Sequence, residues 1–139
     1  GDNTADPDDV SRILLAVTDD SDPNGTGHLL SIDAKTTIGG IDHWADYPGF
    51  AVDEEAIYIT NNMFSFDTNS FGGVRLWIVH KGVVGGFYAG GAATVTVHDP
   101  IPATAIKTTT QPAHIFGAGA SLPPGTFVFK TGSIYCLYL

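Results

Sequence analysis

The feature that most constrains the fold of this chain is its division into short apolar runs, each bounded by Gly, Pro, Asn, Asp or Ser. Several runs alternate apolar and polar residues with a period of two, and none sustains the helical period of about 3.6 residues. The 17 glycines and eight prolines are spread along the chain, which suits many strands joined by turns. This pattern predicts an all-β fold. The candidate strands are residues 12–17, 28–33, 49–53, 56–60, 74–81, 93–99, 126–130 and 134–139.

Strand pairs of similar build recur along the chain. The two strands that flank residues 18–27 resemble the two that flank residues 61–73. Equivalent positions in the two pairs, Ile13 and Ile57, are 44 residues apart. This interval falls within the ~40–50 residues of one β-propeller blade. The spacing therefore favours a repeat of blade-like sheets.

The composition of the strands indicates that both faces of each sheet are covered. Residues 12–17 and 56–60 have few polar positions between their apolar ones, whereas a sheet with one wet face alternates cleanly. Stacked propeller blades bury both faces, and a β-sandwich, which is the alternative, buries mainly one face per sheet. We predict a flexible acidic lead-in at residues 1–11. Residues 12–139 are predicted to form a β-propeller segment of about three four-stranded blades.

The stretch that begins "WADYPGF" at Trp44 resembles a recurring stretch of large secreted bacterial β-propeller proteins of poorly known function. The resemblance covers roughly residues 12–118 and implies an extracellular propeller, without implying a ligand or a reaction. The upstream hairpin is similar at Asp22, Pro23 and Gly25, although the usual aromatic residue is replaced near His28. The other matching residues are Asp46, Tyr47, Pro48, Val52, Asp53, Ala56, Tyr58, Thr60, Asn62, Phe64, Leu76, Trp77 and Lys81.

About three blades are too few to close a propeller, which typically has four to eight. An open arc would leave apolar sheet faces in water at both ends, at a cost comparable to the stability of a domain. We therefore expect partners. These are other segments of the same propeller protein, held together after cleavage, or identical copies. The remaining alternative is a different all-β fold that is complete in one chain.

The loop "DDSDPNG" is the strongest candidate for a metal site. Asp20, Asp22 and Asn24, followed by Gly25, match the first half of a calcium-binding loop, in which alternate oxygens point inward. The second half does not match, because Ser31 stands where the bidentate Glu should be. A hairpin turn is the alternative interpretation, since Pro-Asn-Gly is strong turn chemistry. In the first interpretation, calcium binds at this loop and stabilises the structure.

Aromatic residues supply a second candidate site. Trp44, Tyr47 and Trp77 could line a carbohydrate-binding surface, because flat aromatic rings suit the C–H groups of sugars. In the structural alternative, Asp46 bonds backbone amides. Pro48 then fixes φ where the strand begins.

Charge and hydropathy exclude two classes of partner. The net charge is −9, which argues against binding to a nucleic-acid backbone. No apolar run approaches the ~20 residues of a membrane-spanning helix. The sequence also predicts no zinc site among its five histidines, because none forms a recognisable ligand pair.

Catalytic signals are weak. The carboxylates of Asp53, Glu54 and Glu55 are adjacent in a tight turn, where they diverge rather than act as the pair that glycoside hydrolysis needs. His98 lies beside Asp99, but no nucleophile motif accompanies them. We therefore expect a non-catalytic structural or binding segment. The alternatives are one part of a secreted propeller hydrolase, whose active site is shared with other chains, and a carbohydrate-binding module.

Overall fold

The fold is all-β, as predicted. A computed structural model describes residues 7–82, 85–106, 110–112 and 129–131. These residues contain ten strands and a short 3-10 turn at Phe87–Ala89, and no α-helix. The strands are β1 (Arg12–Thr18), β2 (Gly27–Asp33), β3 (Thr36–Ile38), β4 (Ile41–Val52), β5 (Ala56–Ser65), β6 (Phe71–His80), β7 (Thr94–Val97), β8 (Ile101–Pro102), β9 (Thr110–Pro112) and β10 (Phe129–Thr131).

A curled antiparallel sheet forms the centre of the structure. Its strands follow the order β3-β4-β5-β6-β7, and β8 also pairs with β6. Each strand therefore lies beside its neighbour in the sequence, because short turns connect antiparallel strands directly. The turn between β4 and β5 shows how the sequence closes such a hairpin. Asp53 accepts hydrogen bonds from the backbone amides of Glu55 at 2.8 Å and Ala56 at 2.9 Å.

The hairpin of β1 and β2 covers one face of the central sheet. Residues of the hairpin alternate between half-buried and exposed along β1, so that Ile13, Leu15 and Val17 point inward. They pack with Ile32 of β2 against a core from the central sheet. That core contains Ile57, Ile59, Met63, Trp77 and Val79. The predicted pairing of residues 12–17 with 28–33 is confirmed.

The opposite face of the central sheet is also buried. Leu76 and Ile78 of β6 are buried there with Ala56 of β5. At the far end of this face, the hydroxyl of Thr60 donates a hydrogen bond of 2.7 Å to the carbonyl of Thr110 in β9. The expectation that both faces of these strands are covered is therefore confirmed for β5 and β6. For residues 12–17 it is wrong within the described structure, because Arg12, Leu14 and Ala16 of β1 are exposed on one face.

The two ends of the chain are described only in part. β10 pairs with β9, and the sequence also predicted a hairpin between residues 126–130 and 134–139. Most of that predicted hairpin lies outside the described residues. At the N-terminal end, Ser11 is the last residue of the predicted flexible lead-in. Its hydroxyl accepts a hydrogen bond of 3.0 Å from the backbone amide of Ala45. In the described part of the chain, no helix is long and apolar enough to cross a membrane.

Candidate functional site

The outer face of the β1–β2 hairpin is the most unusual surface of the described structure. Leu14 and Leu29 are 79% and 81% exposed, although the inward positions of the same strands are largely covered. We call the exposed residues of this surface the outer hairpin face. They are Arg12, Leu14, Ala16, Leu29, Ser31 and Asp33. Large apolar residues that cluster in water are typical of interaction sites, and Leu14 and Leu29 lie on the same face of this hairpin.

The hairpin also has an open backbone edge at β1. Ala34 donates a hydrogen bond to the directly opposed Ser11, and Asp19 donates one to the directly opposed Thr26, each at 3.0 Å. In an antiparallel pair, bonded and non-bonded pairs alternate, so the odd-numbered residues of β1 bond to β2. The N–H and C=O groups of the even-numbered residues, Leu14 among them, point away from β2. Among the described residues β1 pairs only with β2, which leaves this edge without a strand.

The predicted calcium loop forms a turn held by its own side chains. The Oδ1 atom of Asp20 accepts the amide of Asp22 at 2.7 Å, and Oδ1 of Asp22 accepts the amide of Asn24 at 2.9 Å. The Nδ2 group of Asn24 donates to the same oxygen at 3.2 Å. Asp20, Asp22 and Asn24 therefore lie together and are exposed. Their oxygens are the hard ligands that calcium requires. Two of these oxygens, Oδ1 of Asp20 and Oδ1 of Asp22, already accept hydrogen bonds from backbone amides of the turn.

Metal-ligating side chains are not clustered in the described ranges, and this includes the carboxylates of the calcium loop. No group of three or more His, Cys, Asp or Glu side chains there is close enough to hold a metal ion. The calcium loop itself contributes two carboxylates and one amide side chain. Its capacity for calcium therefore depends on oxygens beyond those of Asp20 and Asp22.

The three aromatic residues of the predicted carbohydrate surface do not share one environment. Trp77 is 1% exposed and belongs to the main core, so its ring has no face open to a sugar. Trp44 is half-buried on β4 and lies 5.9 Å from the ring centre of Phe64. Tyr47 is 62% exposed. An aromatic surface for carbohydrate would therefore consist of Tyr47 and the open part of Trp44.

Tyr47 owes its exposure to a β-bulge. The register between β4 and β5 shifts between Asp46 and Gly49, which places an extra residue in β4. Tyr47 has φ of 47°, in the left-handed region, and such a conformation is uncommon outside glycine. The backbone carbonyl of Asp46 accepts a hydrogen bond of 3.3 Å from the side-chain amide of Asn61. The bulge thus turns the Tyr47 side chain outward, as bulges often do beside functional surfaces.

A network that the sequence did not predict surrounds Asp53. The Tyr58 hydroxyl donates a hydrogen bond of 2.7 Å to Asp53 Oδ2, and the ammonium group of Lys81 donates to the backbone carbonyl of Asp53. Burial raises the pKa of Asp53, but the hydrogen bonds from Tyr58 and from the turn amides outweigh it, so the pKa lies below its ordinary value. Burial and the Asp53 carboxylate both raise the pKa of Tyr58. Asp53 therefore stabilises the turn between β4 and β5 through its hydrogen bonds.

A second polar network connects the short strand β3 to the rest of the central sheet. Asp42 is buried, accepts a hydrogen bond of 2.6 Å from Thr37, and forms an ion pair of 3.1 Å with Lys35. The hydrogen bond from Thr37 and the charge of Lys35 hold the pKa of Asp42 below its ordinary value, against the effect of burial. Arg75 donates to the Thr36 hydroxyl at 2.5 Å and to the carbonyl of His98 at 3.1 Å. The two hydrogen bonds of Arg75 join residues that are 23 and 39 positions apart in the sequence, so no local sequence pattern predicts them.

Comparison with known proteins adds no identification to this geometry. No family model, no curated protein and no solved structure matches the chain.

Proposed function

We propose that this chain is a non-catalytic structural and binding segment of an extracellular β-propeller protein. The observation that carries the proposal is a stack of three layers. Strands β4 to β7 form a four-stranded antiparallel meander within a six-stranded sheet that also contains β3 and β8, the β1–β2 hairpin covers one face of this sheet, and β9 lies against the other. A propeller blade is a four-stranded meander with a neighbouring blade on each face.

Burial on both sides of the meander supports a propeller over a β-sandwich. Ile59 and Trp77 face the β1–β2 hairpin, and Leu76 and Ile78 are buried on the opposite side. A sandwich of two sheets would leave one of these faces in water. In the proposed arrangement, β1–β2 and β9–β10 belong to the two adjacent blades.

The binding role belongs to the outer hairpin face. Covering Leu14 and Leu29 would each contribute about 1.5–3 kcal/mol to the docking of a neighbouring sheet. The partner is another segment of the same propeller protein or an identical copy. The extracellular location rests on the resemblance of the Asp46-Tyr47-Pro48 stretch to secreted propellers.

Calcium would act at the β1–β2 loop as a stabilising ion. Asp20, Asp22 and Asn24 lie on one exposed turn, and further oxygens come from the backbone or from Asp19. Isothermal calorimetry with calcium tests this role. We expect a binding heat for the whole chain, its loss in Asp22→Ala, and its retention in Glu54→Ala, a control carboxylate on another exposed turn. The absence of heat in the unmodified chain would remove the calcium role.

Carbohydrate binding is a second candidate function, favoured by the exposed ring of Tyr47. Sugar C–H groups would stack on Tyr47 beside Trp44, whereas the buried Trp77 would take no part. A glycan array distinguishes this candidate from the structural role. Binding that is lost in Tyr47→Ala and kept in Tyr88→Ala would support it, and silence across the array would exclude it.

Dye binding to the outer hairpin face is the decisive test of the propeller proposal. We expect the dilute chain to bind an apolar fluorescent dye at the outer hairpin face, as exposed apolar surface does. The double substitution Leu14→Ser with Leu29→Ser should remove most of this fluorescence. Val97→Ser, which alters a 44% exposed residue of β7, should leave it unchanged. A stable monomer that does not bind the dye at the outer hairpin face would contradict the proposal.

A further inference from the structure

A cavity of about 540 Å³ lies between the start of β2 and the segment that contains the 3-10 turn. Its walls are residues 27–30, Phe87 and residues 90–93, all of which belong to the described part of the chain. We call this space the β2 cavity. Pockets that hold small organic molecules have volumes of roughly 300–1,000 Å³, so the β2 cavity is large enough for a small molecule.

The glycine-rich wall of the β2 cavity is not an anion-binding loop, although its sequence, "GGFYAGGAA", resembles one. Anion-binding loops hold phosphate through free backbone N–H groups. Here the amides of residues 88–91 already donate hydrogen bonds of 2.9–3.4 Å to backbone carbonyls within residues 81–87. The hydrogen-bonding groups that this wall can still offer are carbonyl oxygens, which are acceptors. The wall therefore suits a ligand that donates hydrogen bonds.

His28 has the only polar side chain among the residues that line the β2 cavity. A Cβ atom on Gly90 would lie 3.0 Å from Cε1 and 3.4 Å from Nδ1 of His28, so the glycine allows the imidazole to lie against the loop. A neutral imidazole has one nitrogen that accepts a hydrogen bond. Phe87 belongs to the main core and Leu30 packs against it. The β2 cavity thus combines hydrogen-bond acceptors with apolar surface.

The charge around the β2 cavity favours a cation over an anion. No Lys or Arg lines the cavity, and the net charge of the chain is −9. The acidic turn between β1 and β2 adjoins one end of the cavity, because the amide of Asp19 donates a hydrogen bond of 3.0 Å to the carbonyl of Thr26, the residue before Gly27. Asp20 and Asp22 of this turn are exposed. Clustered charge of one sign raises the local concentration of ions of the opposite sign.

We propose that the β2 cavity binds a small organic cation, namely a primary ammonium group carried on an apolar body. The apolar body would contact Phe87 and Leu30. The ammonium group has three N–H donors, which suit the backbone carbonyls of the glycine-rich wall and the imidazole of His28. This binding role goes beyond the structural function proposed above and does not depend on it.

Three probes that share one apolar body but differ in charge test the proposal. They are phenethylammonium, phenethyl alcohol and phenylacetate, each titrated into the full chain while NMR follows the backbone amide shifts. We expect the ammonium to bind about tenfold more tightly than the alcohol, because charge-assisted hydrogen bonds are stronger than neutral ones. We expect no saturable binding of the carboxylate. The largest shifts should occur at the amides of His28, Phe87 and Gly91.

A fourth probe distinguishes two sources of the ammonium group. N-acetyl-lysine methylamide carries this group on a peptide side chain, whereas phenethylammonium is a free amine. Tighter binding of phenethylammonium would identify a free amine as the ligand. Tighter binding of the lysine probe would identify a lysine side chain of a peptide.

Two substitutions locate the binding, and each has a matched control. Ala92→Trp fills the cavity from an exposed lining position and should abolish binding, whereas Ala16→Trp, on the outer hairpin face, should not change it. His28→Phe removes the acceptor nitrogen and should reduce the preference for the ammonium over the alcohol to less than about threefold. His80→Phe, which removes an imidazole bonded to Thr96, should keep the full preference. Circular dichroism checks that the variants fold, and the probes test the unmodified chain without them.

Three outcomes would overturn the inference. Equal binding of the three phenyl probes would show that the β2 cavity is merely apolar and does not select a cation. A preference for phenylacetate would show that the wall offers donors instead of acceptors. No binding of any probe would show that the cavity is not a ligand site. None of these results changes the propeller proposal, which the dye experiment tests.

Discussion

Some single residues of this protein stabilise the fold through contacts that cannot be predicted from the residues next to them in the sequence. Asp53 looks like one of three solvated carboxylates in "VDEEA". In the folded chain it accepts hydrogen bonds from two turn amides and from Tyr58, and Lys81 bonds to its backbone carbonyl. Tyr58 and Lys81 reach Asp53 only because β5 and β6 fold back beside the turn. The carboxylate therefore acts as an anchor.

Replacing Asp53 by Asn should destabilise the chain by about 1–2 kcal/mol at neutral pH, because charge-assisted hydrogen bonds are stronger than neutral ones. The folded-state pKa of Asp53 lies below its ordinary value of 3.8. Its contribution is therefore complete above that value, and is lost as the pH falls through the lower folded-state pKa. Urea unfolding of both chains at neutral and acidic pH measures the effect.

This experiment has two controls, which are the measurement at acidic pH and a substitution of the neighbouring Glu54. The stability difference between the unmodified chain and Asp53→Asn should shrink once the pH lies below the folded-state pKa. Glu54→Gln, in the exposed part of the same turn, should change stability by less than about 0.5 kcal/mol. An equal effect of the two substitutions would show that Asp53 is merely solvated.

Gly49 is a residue whose lack of a side chain permits two layers to meet. A Cβ atom there would lie 2.3 Å from Thr60 Oγ1 and 2.8 Å from the side chain of Gln111. We expect Gly49→Ala to cost about 1–3 kcal/mol through overpacking. Gly27→Ala is the control, since the nearest atom to its Cβ would be 3.8 Å away. Denaturant midpoints compare the two, and similar values would show that β9 does not pack at Gly49.

At the scale of strands, the two faces of β6 distinguish stacked blades from a sheet with one wet face. Ile78 is buried on the face opposite the β1–β2 hairpin. We expect Ile78→Ala to cost about 2–4 kcal/mol, comparable to Ile59→Ala on the hairpin side. Leu14→Ala, at a position 79% exposed, should have little effect on the dilute chain. Tolerance of Ile78→Ala, measured by urea unfolding, would indicate that this face is wet.

At the scale of the whole molecule, stability should decrease from the central sheet toward its flanks. β5 and β6 pair on both edges and are buried on both faces, whereas β1 pairs on one edge only, among the described residues, and exposes one face. Locally unfolding units are those with few buried contacts. Amide hydrogen exchange should therefore be slowest in β5 and β6 and faster in β1 and β2 of the dilute chain. Uniform exchange rates would indicate one cooperative unit without a weaker flank.

The sequence alone was sufficient for the class of fold and for its local pairings. Short apolar runs between turn residues predict strands, because this signal is local. The continuous apolar run at residues 13–17 does not show which side chains of β1 face the core. The hairpins β1–β2 and β4–β5 follow from the same signals. The "DDSDPNG" stretch likewise predicted a turn, which its own carboxylates hold.

Only the tertiary structure determined which layers and side chains pack against each strand. The burial of Trp77, the exposure of Tyr47 at a bulge and the anchoring of Asp53 each depend on residues from other strands. A period of two identifies two faces of a strand but does not say which layer covers each face. The exposed pair of Leu14 and Leu29 illustrates the limit. Both read as ordinary core leucines, and only the stacking of the hairpin on the central sheet turns them toward solvent.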